Sequence, residues 1–167
     1  MQYLKGAREQ EAIGWMKEAA KVAENALCIK AKCGTVIVKG GEIIGSGYNA
    51  PPLDDVKNAT CLDEYQVFDK PHFDRTCCMH AEWRAIIDAL RNNPNKITGS
   101  KLYFSRTDKE KKGEIKKSGQ PYCTVCSRLA LDIGISHFLL WQEDGIAEYA
   151  TDEYNKLSYE YHKTIQK

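Results

Sequence analysis

Two short motifs limit most strongly what this chain can fold into. Cys78-Met79-His80-Ala81-Glu82 and Cys123-Thr-Val-Cys126 each open a helical pattern, and each carries side chains of metal-ligand type. Two cysteines three apart at a helix start face the same side. The positive end of the helix dipole there favours their thiolates. Such a pair fits adjacent corners of a zinc tetrahedron, although alone it also reads as a redox pair or as small buried residues. His80 supplies a third donor, neutral at one ring nitrogen. Glu82 lies two residues on, about 200° around a regular helix. His80 and Glu82 therefore converge only if His80 stands just before the first helical residue. The fold has to bring two helix starts, far apart in sequence, to one point.

Three ligands leave a fourth zinc position open, as catalytic sites do and structural sites do not. That position takes a water whose pKa the metal lowers towards ~7. Glu82 is placed to accept its proton and hand it on. On an aminopyrimidine the reaction is attack at C4, protonation of N3 and departure of ammonia. If His80 and the cysteines were only core residues, Glu82 would sit at a buried helix start with nothing to compensate it.

The rest of the pattern supplies a scaffold. The 167 residues suit one domain spanning the whole chain. Ile13, Met16, Ala20, Ala23 and Leu27 make an apolar stripe, predicting a helix over Arg8 to Leu27. K-C-G-T-V-I-V, K-G-G-E and I-I-G-S-G-Y-N read as strand, tight turn and strand. Ala50 to Thr76, opening with Pro51-Pro52, reads as loop. A helix follows over His80 to Asn92, then a strand over Leu102 to Arg106 and a lysine-rich surface loop over Thr107 to Lys117. Cys123 to Ile133 is a helix, His137 to Trp141 a buried strand, and Thr151 to Ile165 a helix with a stripe of Tyr154, Leu157 and Tyr161. The expectation is an α/β fold in three layers, α/β/α, around a mixed sheet of about four to five strands.

Charge and composition narrow the function. The net charge of +1 supplies no field to draw in nucleic acid. The one basic cluster, Lys109 to Lys117, is broken by Glu110 and Glu114 and holds no aromatic residue. No apolar run is long enough for a membrane helix, and the first ten residues lack the apolar core of a secretory signal. A cytoplasmic location is therefore expected. Seven cysteines, an odd number, point to metal or catalytic use rather than a disulfide framework.

The paired motifs match the H-x-E and P-C-x-x-C signature of zinc deaminases. Three further stretches, G-S-G-Y-N-A-P-P at Gly45 to Pro52, T-C-L-D-E-Y at Thr60 to Tyr65 and D-R-T-C-C-M-H-A-E at Asp74 to Glu82, resemble the deoxycytidylate deaminase branch of the cytidine/deoxycytidylate deaminase superfamily. The resemblance runs from about Ala12 to Trp141. It implies Zn2+ on His80, Cys123 and Cys126, and Glu82 as the catalytic proton carrier. It also implies Asn49 on the sugar hydroxyl and the Ala81 N–H on the pyrimidine carbonyl. Arg75 becomes a candidate for the substrate phosphate or the pocket rim, against a solvated loop arginine. The substrate would be a small molecule, dCMP first, and the protein a homo-oligomer.

Three departures keep alternatives open. Tyr122 separates Pro121 from Cys123, Thr107 to Gln120 is an insertion forming a lid or an added hairpin, and Arg84 replaces the asparagine of H-A-E-x-N-A. A nucleoside, a free base such as guanine or another aminated heterocycle is the second reading. Nucleic-acid editing and a non-catalytic zinc module are further ones. Cys28, Cys33, Cys61, Cys77 and Cys78 read either as buried free thiols or, with His72, as including a second, structural zinc site.

Overall fold

A computed structural model describes residues 1–29, 31–59, 78–108 and 113–165. Arg75, His72, Cys61 and Cys77 lie outside the described residues. The elements are β1 (Gln2–Tyr3), α1 (Ala7–Ala23), β2 (Lys32–Lys39), β3 (Glu42–Tyr48), α2 (Ala81–Asn92), β4 (Lys101–Thr107), β5 (Ile115–Lys116), α3 (Thr124–Asp132), β6 (His137–Gln142), β7 (Gly145–Ala150) and α4 (Thr151–Ile165). The strands form one sheet in the order β1-β7-β6-β4-β2-β3, with β5 paired to the end of β4. β4 and β6 run parallel, joined by the α3 crossover, and the other pairs are antiparallel.

The period of two along each strand divides the core. In register across β2, β4 and β6, Val36, Tyr103 and Leu139 face one side, and Ile37, Leu102 and Phe138 face the other. α1 covers the first face with Ala12, Met16 and Ala19. α2 covers the second with Ala85, Ile86 and Ala89, joined by Ala130 of α3 and Tyr154 of α4. The expected three layers are therefore present, with a mixed sheet of seven strands rather than four to five. β1 and β5 are two residues each, too short to show a period. β7 does not read as a strand because Glu148 sits at its buried centre. It is tolerated there because Lys101 Nζ, Arg8 Nη2 and Gln2 Nε2 each donate to its carboxylate at 2.7 Å. α1 ends at Ala23, four residues before the expected Leu27, and a closing turn follows in which Ala26 N–H donates to the Ala23 carbonyl.

Small residues let the second layer sit close. A Cβ at Gly45 would lie 2.5 Å from the Ala85 carbonyl oxygen, and one at Gly47 would lie 2.3 Å from the Ala85 nitrogen. Only glycine allows the backbone of α2 so near β3. The entry to α2 is fixed as well, by a bridge in which Met79 N–H donates to the Ala50 carbonyl at 2.8 Å. β3 is the outer strand on this side, and α2 side chains reach round to it. Ser46 N–H donates to Asp88 Oδ2 and Asn93 Nδ2 donates to the Ile44 carbonyl, both at 2.8 Å.

The insertion between β4 and α3 is a hairpin. β4 continues through Thr107, and Ile115–Lys116 return along Arg106 and Thr107, which is the added hairpin rather than the surface loop of the two expectations for this stretch. The chain then stays attached to the sheet. Ser118 N–H donates to the Trp141 carbonyl at 2.7 Å, and Gln142 Nε2 donates to the Gly119 carbonyl at 3.0 Å. Among the described residues, no helix is long and apolar enough to cross a membrane.

Candidate active site

The two helix starts meet. His80 is the N-cap of α2, with extended backbone at φ −68° and ψ 149°, and Ala81 is the first helical residue. This non-helical step lets His80 and Glu82 point to one place. Cys123 is the N-cap of α3 and Cys126 lies in its first turn. His80 Nδ1 is 3.1 Å from Cys126 Sγ and 3.5 Å from Cys123 Sγ, and all three ligand atoms lie within 4.8 Å of one another. A zinc tetrahedron with arms of about 2.0–2.3 Å has edges of roughly 3.3–3.8 Å. The donor set and its spacing fit zinc, through Nδ1 of the histidine. The imidazole also lies against the Trp83 ring, centroids 5.9 Å apart.

Electrostatics follow from burial and from these contacts. The hydrogen bond from Cys126, reinforced by His80, pulls the Cys123 thiol down to about 4, so Cys123 is the first thiolate of the pair. The same hydrogen bond and burial push Cys126 up. Glu82 is 8% exposed, and burial raises its carboxyl above the ordinary glutamate range against the opposing pull of His80. A raised carboxyl pKa suits a group that both takes and returns a proton near neutrality.

The triad opens into a cavity of about 220 Å³ at the ends of β2, β4 and β6. Glu82 and Ala81 line it, as do Phe104, Leu140, Tyr122 and Tyr154. Ala81 is the first helical residue, so its N–H has no partner one turn back. Asn49 also lines the cavity. Its Oδ1 accepts from Cys33 N–H and its Nδ2 donates to the Ala31 carbonyl, both at 2.8 Å, so its carboxamide braces the cavity wall. Cys28, Cys33 and Cys78 lie on the wall and form no disulfide among the described residues. Among the described residues, His80, Cys123 and Cys126 are the only group of three side chains able to hold a metal ion.

Arg84 faces away from the chemistry. It pairs with Asp54 Oδ1 at 2.8 Å, donates to the Pro51 carbonyl at 2.8 Å and stacks over Tyr48 at 5.1 Å, so it clamps the segment after β3. Tyr122 stands 56% exposed at the mouth, its ring beside Tyr161. Sequence reasoning missed Arg106, Lys117 and Tyr154 as lining residues. For Arg106 a signal was present, because the alternation Leu102, Phe104, Arg106 carries it onto the site face of β4. Lys117 depends on the hairpin, and Tyr154 on the docking of α4.

The comparisons agree with this geometry. A cyanophage S-TIM5 dCMP deaminase, in complex with dCMP and dUMP, superposes with a TM-score of 0.51 at 20% identity, covering 81% of this chain and 82% of that one. A Burkholderia pseudomallei cytidine deaminase gives a TM-score of 0.51 at 17% identity, covering 83% of this chain and 92% of that one. At these identities the likeness is one of fold. No curated protein matches the chain significantly in sequence. The family model for the cytidine and deoxycytidylate deaminase zinc-binding region matches residues 9–141. With the zinc triad of His80, Cys123 and Cys126 in place, this chain belongs to that family and is a zinc-dependent hydrolytic deaminase.

Proposed function

We propose that the chain deaminates a small cytosine-containing nucleotide of the dCMP type, with Glu82 moving the protons. The observation that supports a nucleotide is the charge at the cavity mouth. Arg106 and Lys117 both line the cavity, and among the described residues neither side chain has an ion pair or hydrogen bond. Lys117 rests over the Trp141 ring, 4.3 Å from its centroid. Glu82 is the only acidic residue among the described lining residues, and it lies deep at the triad. Two cations beside one cavity suit one phosphate. Arg75, outside the described residues, is proposed as a further phosphate contact. A polymer substrate would need an extended basic groove with stacking aromatics.

Bound zinc supplies a Lewis acid that activates water. Glu82 accepts the proton of the attacking water and delivers it to N3 as the C4–O bond forms. Glu82 then takes the proton of the new C4 hydroxyl and delivers it to the amino group, so the C4–N bond breaks, the C4 carbonyl forms and ammonia leaves. The Ala81 N–H is suited to the pyrimidine carbonyl. Asn49 keeps one lone pair on Oδ1 and one hydrogen on Nδ2 beyond its two backbone bonds, enough for a sugar hydroxyl. Association into a homo-oligomer is part of the same proposal and rests on the resemblance alone.

The test is ammonia release from dCMP, deoxycytidine, cytosine, guanine and a cytosine-containing oligonucleotide, by wild type and Glu82→Gln. dCMP should be the best substrate. The variant should keep its zinc and lose about 10²–10⁴-fold in turnover. Faster reaction of guanine or of the oligonucleotide would end the nucleotide reading. A fully active Glu82→Gln would end the role given to Glu82.

A further inference from the structure

The match to the family model stops at Trp141, and α4 lies beyond it, yet α4 contributes to the cavity wall. The residue concerned is Tyr154. Its ring is stacked on Phe138 with centroids 4.2 Å apart, and Tyr149 meets it edge-on at 5.8 Å. Two aromatic contacts on different sides hold the ring in one orientation. Only 4% of the residue is exposed. The phenol is nonetheless part of the cavity lining, as are Glu82 and His80.

Among the described residues its hydroxyl has no hydrogen-bond partner. The neighbouring tyrosines differ. Tyr3 and Tyr149 both donate to Gln142 Oε1 at 3.2 Å. The Tyr154 hydroxyl is not among the fully buried polar atoms that lack a partner, so it is open to the cavity, where a ligand can replace water. A rigid hydroxyl that opens onto a cavity beside a zinc triad, with no partner among the described residues, is suited to a ligand. Burial raises its pKa, so it stays neutral and keeps both donor and acceptor capacity.

We propose that Tyr154 binds substrate, its hydroxyl forming a hydrogen bond to a polar atom of the aminated heterocycle seated over His80, Cys123 and Cys126. The proposal rests on the cavity being the deaminase substrate pocket, not on the heterocycle being cytosine. Phe104 and Leu140 are the apolar walls beside it, and Tyr154 adds a polar point to a lining otherwise suited to a ring face. A hydrogen bond of this kind discriminates between heterocycles that differ in one ring heteroatom or carbonyl.

The experiment is Tyr154→Phe, which keeps both ring contacts. It is assayed on whichever compound wild type turns over best among the nucleobases, nucleosides and nucleotides named above. kcat/KM should fall about 10- to 100-fold, mostly through KM, with about one zinc per chain and an unchanged ligand-free melting temperature. A hydroxyl needed for the fold would instead lower that melting temperature, and this outcome would overturn the proposal. So would kcat/KM within about twofold of wild type on that substrate. If the best substrate is not a cytosine nucleotide, the substrate reading fails, and the Tyr154 effect is still read on the compound that reacts. If wild type turns over no compound at all, both fall.

Discussion

Gly47→Ala is a substitution of one methyl group on a strand outside the chemistry, and it should damage the zinc site. The new Cβ would lie 2.3 Å from the Ala85 nitrogen, 2.4 Å from the Ala81 carbonyl oxygen and 2.7 Å from Arg84 Cβ. Two of the three contacts are helix backbone, which no rotamer change relieves. β3 is held by its ladder to β2, so the first turn of α2 has to withdraw. Reaching ordinary contact near 3.4 Å requires about 1 Å of movement. Ala81 directly follows the ligand His80, and zinc ligands tolerate only about ±0.2 Å. Zinc affinity should therefore fall by at least the roughly 10–100-fold seen when a ligand loses its support. Overpacking should lower stability by a further 1–3 kcal/mol, roughly. Competition with a fluorescent zinc chelator measures the first effect, and melting of zinc-loaded and zinc-free protein measures the second. Gly14→Ala is the control. It lies in α1 with nothing within 4 Å of the added Cβ, and it should stabilise by up to about 1 kcal/mol while leaving zinc affinity alone. Wild-type zinc affinity in Gly47→Ala would refute the argument that the close packing of β3 on α2 sets the position of His80.

Cys126→Ala should lower zinc affinity by more than about 100-fold and remove the zinc-dependent part of stability, so that a chelator shifts the melting of wild type but not of the variant. Glu148→Gln probes the buried carboxylate under β1 and α1. Burial raises its pKa, but hydrogen bonds from Lys101 and Gln2 and the charge of Lys101 outweigh this and hold it below the ordinary value. A depressed folded pKa gives stability that is present above the unfolded value near ~4.3 and lost as pH falls through the folded one. Wild type should therefore exceed Glu148→Gln by about 1–3 kcal/mol at pH 7, and the gap should close on acidification below about pH 4. Denaturant melts at several pH values measure it, and a gap that does not depend on pH would contradict the assignment.

How far the sequence could be read follows from what each residue depends on. The meeting of His80, Glu82, Cys123 and Cys126 was legible because helix-start geometry is local and zinc chemistry limits the donors. The Gly40-Gly41 turn was legible for a similar reason, both residues having positive φ, 59° and 79°. β7 was not, because a glutamate at the centre of a strand is acceptable only with Lys101 and Arg8 beside it, and neither is near it in sequence. The hairpin at β5 was one of two readings of the insertion, and the lysine-rich stretch could not decide between it and a lid because only two residues pair. Tyr154 belongs to an aromatic stripe that pattern analysis assigns to the core. Its ring does lie in the core, and only the packing of α4 reveals that its hydroxyl reaches the cavity. Arg84, which stands where the resemblance expects asparagine, clamps Asp54 and Pro51, a contact visible only once the segment after β3 is placed.

The side chains that α2 extends over β3 have a consequence for how the molecule behaves in a crowded solution. An outer strand normally offers a row of free N–H and C=O groups, a template on which another chain can add itself. Here Asp88 already occupies the Ser46 N–H and Asn93 the Ile44 carbonyl. An incoming strand has to break both bonds before it forms its own, and it meets a carboxylate as it approaches. The same helix that holds the first zinc ligand thus shields this edge of the sheet from strand addition. Association of copies by extending the sheet at this edge is disfavoured, which leaves the helical faces as the better surfaces for self-association.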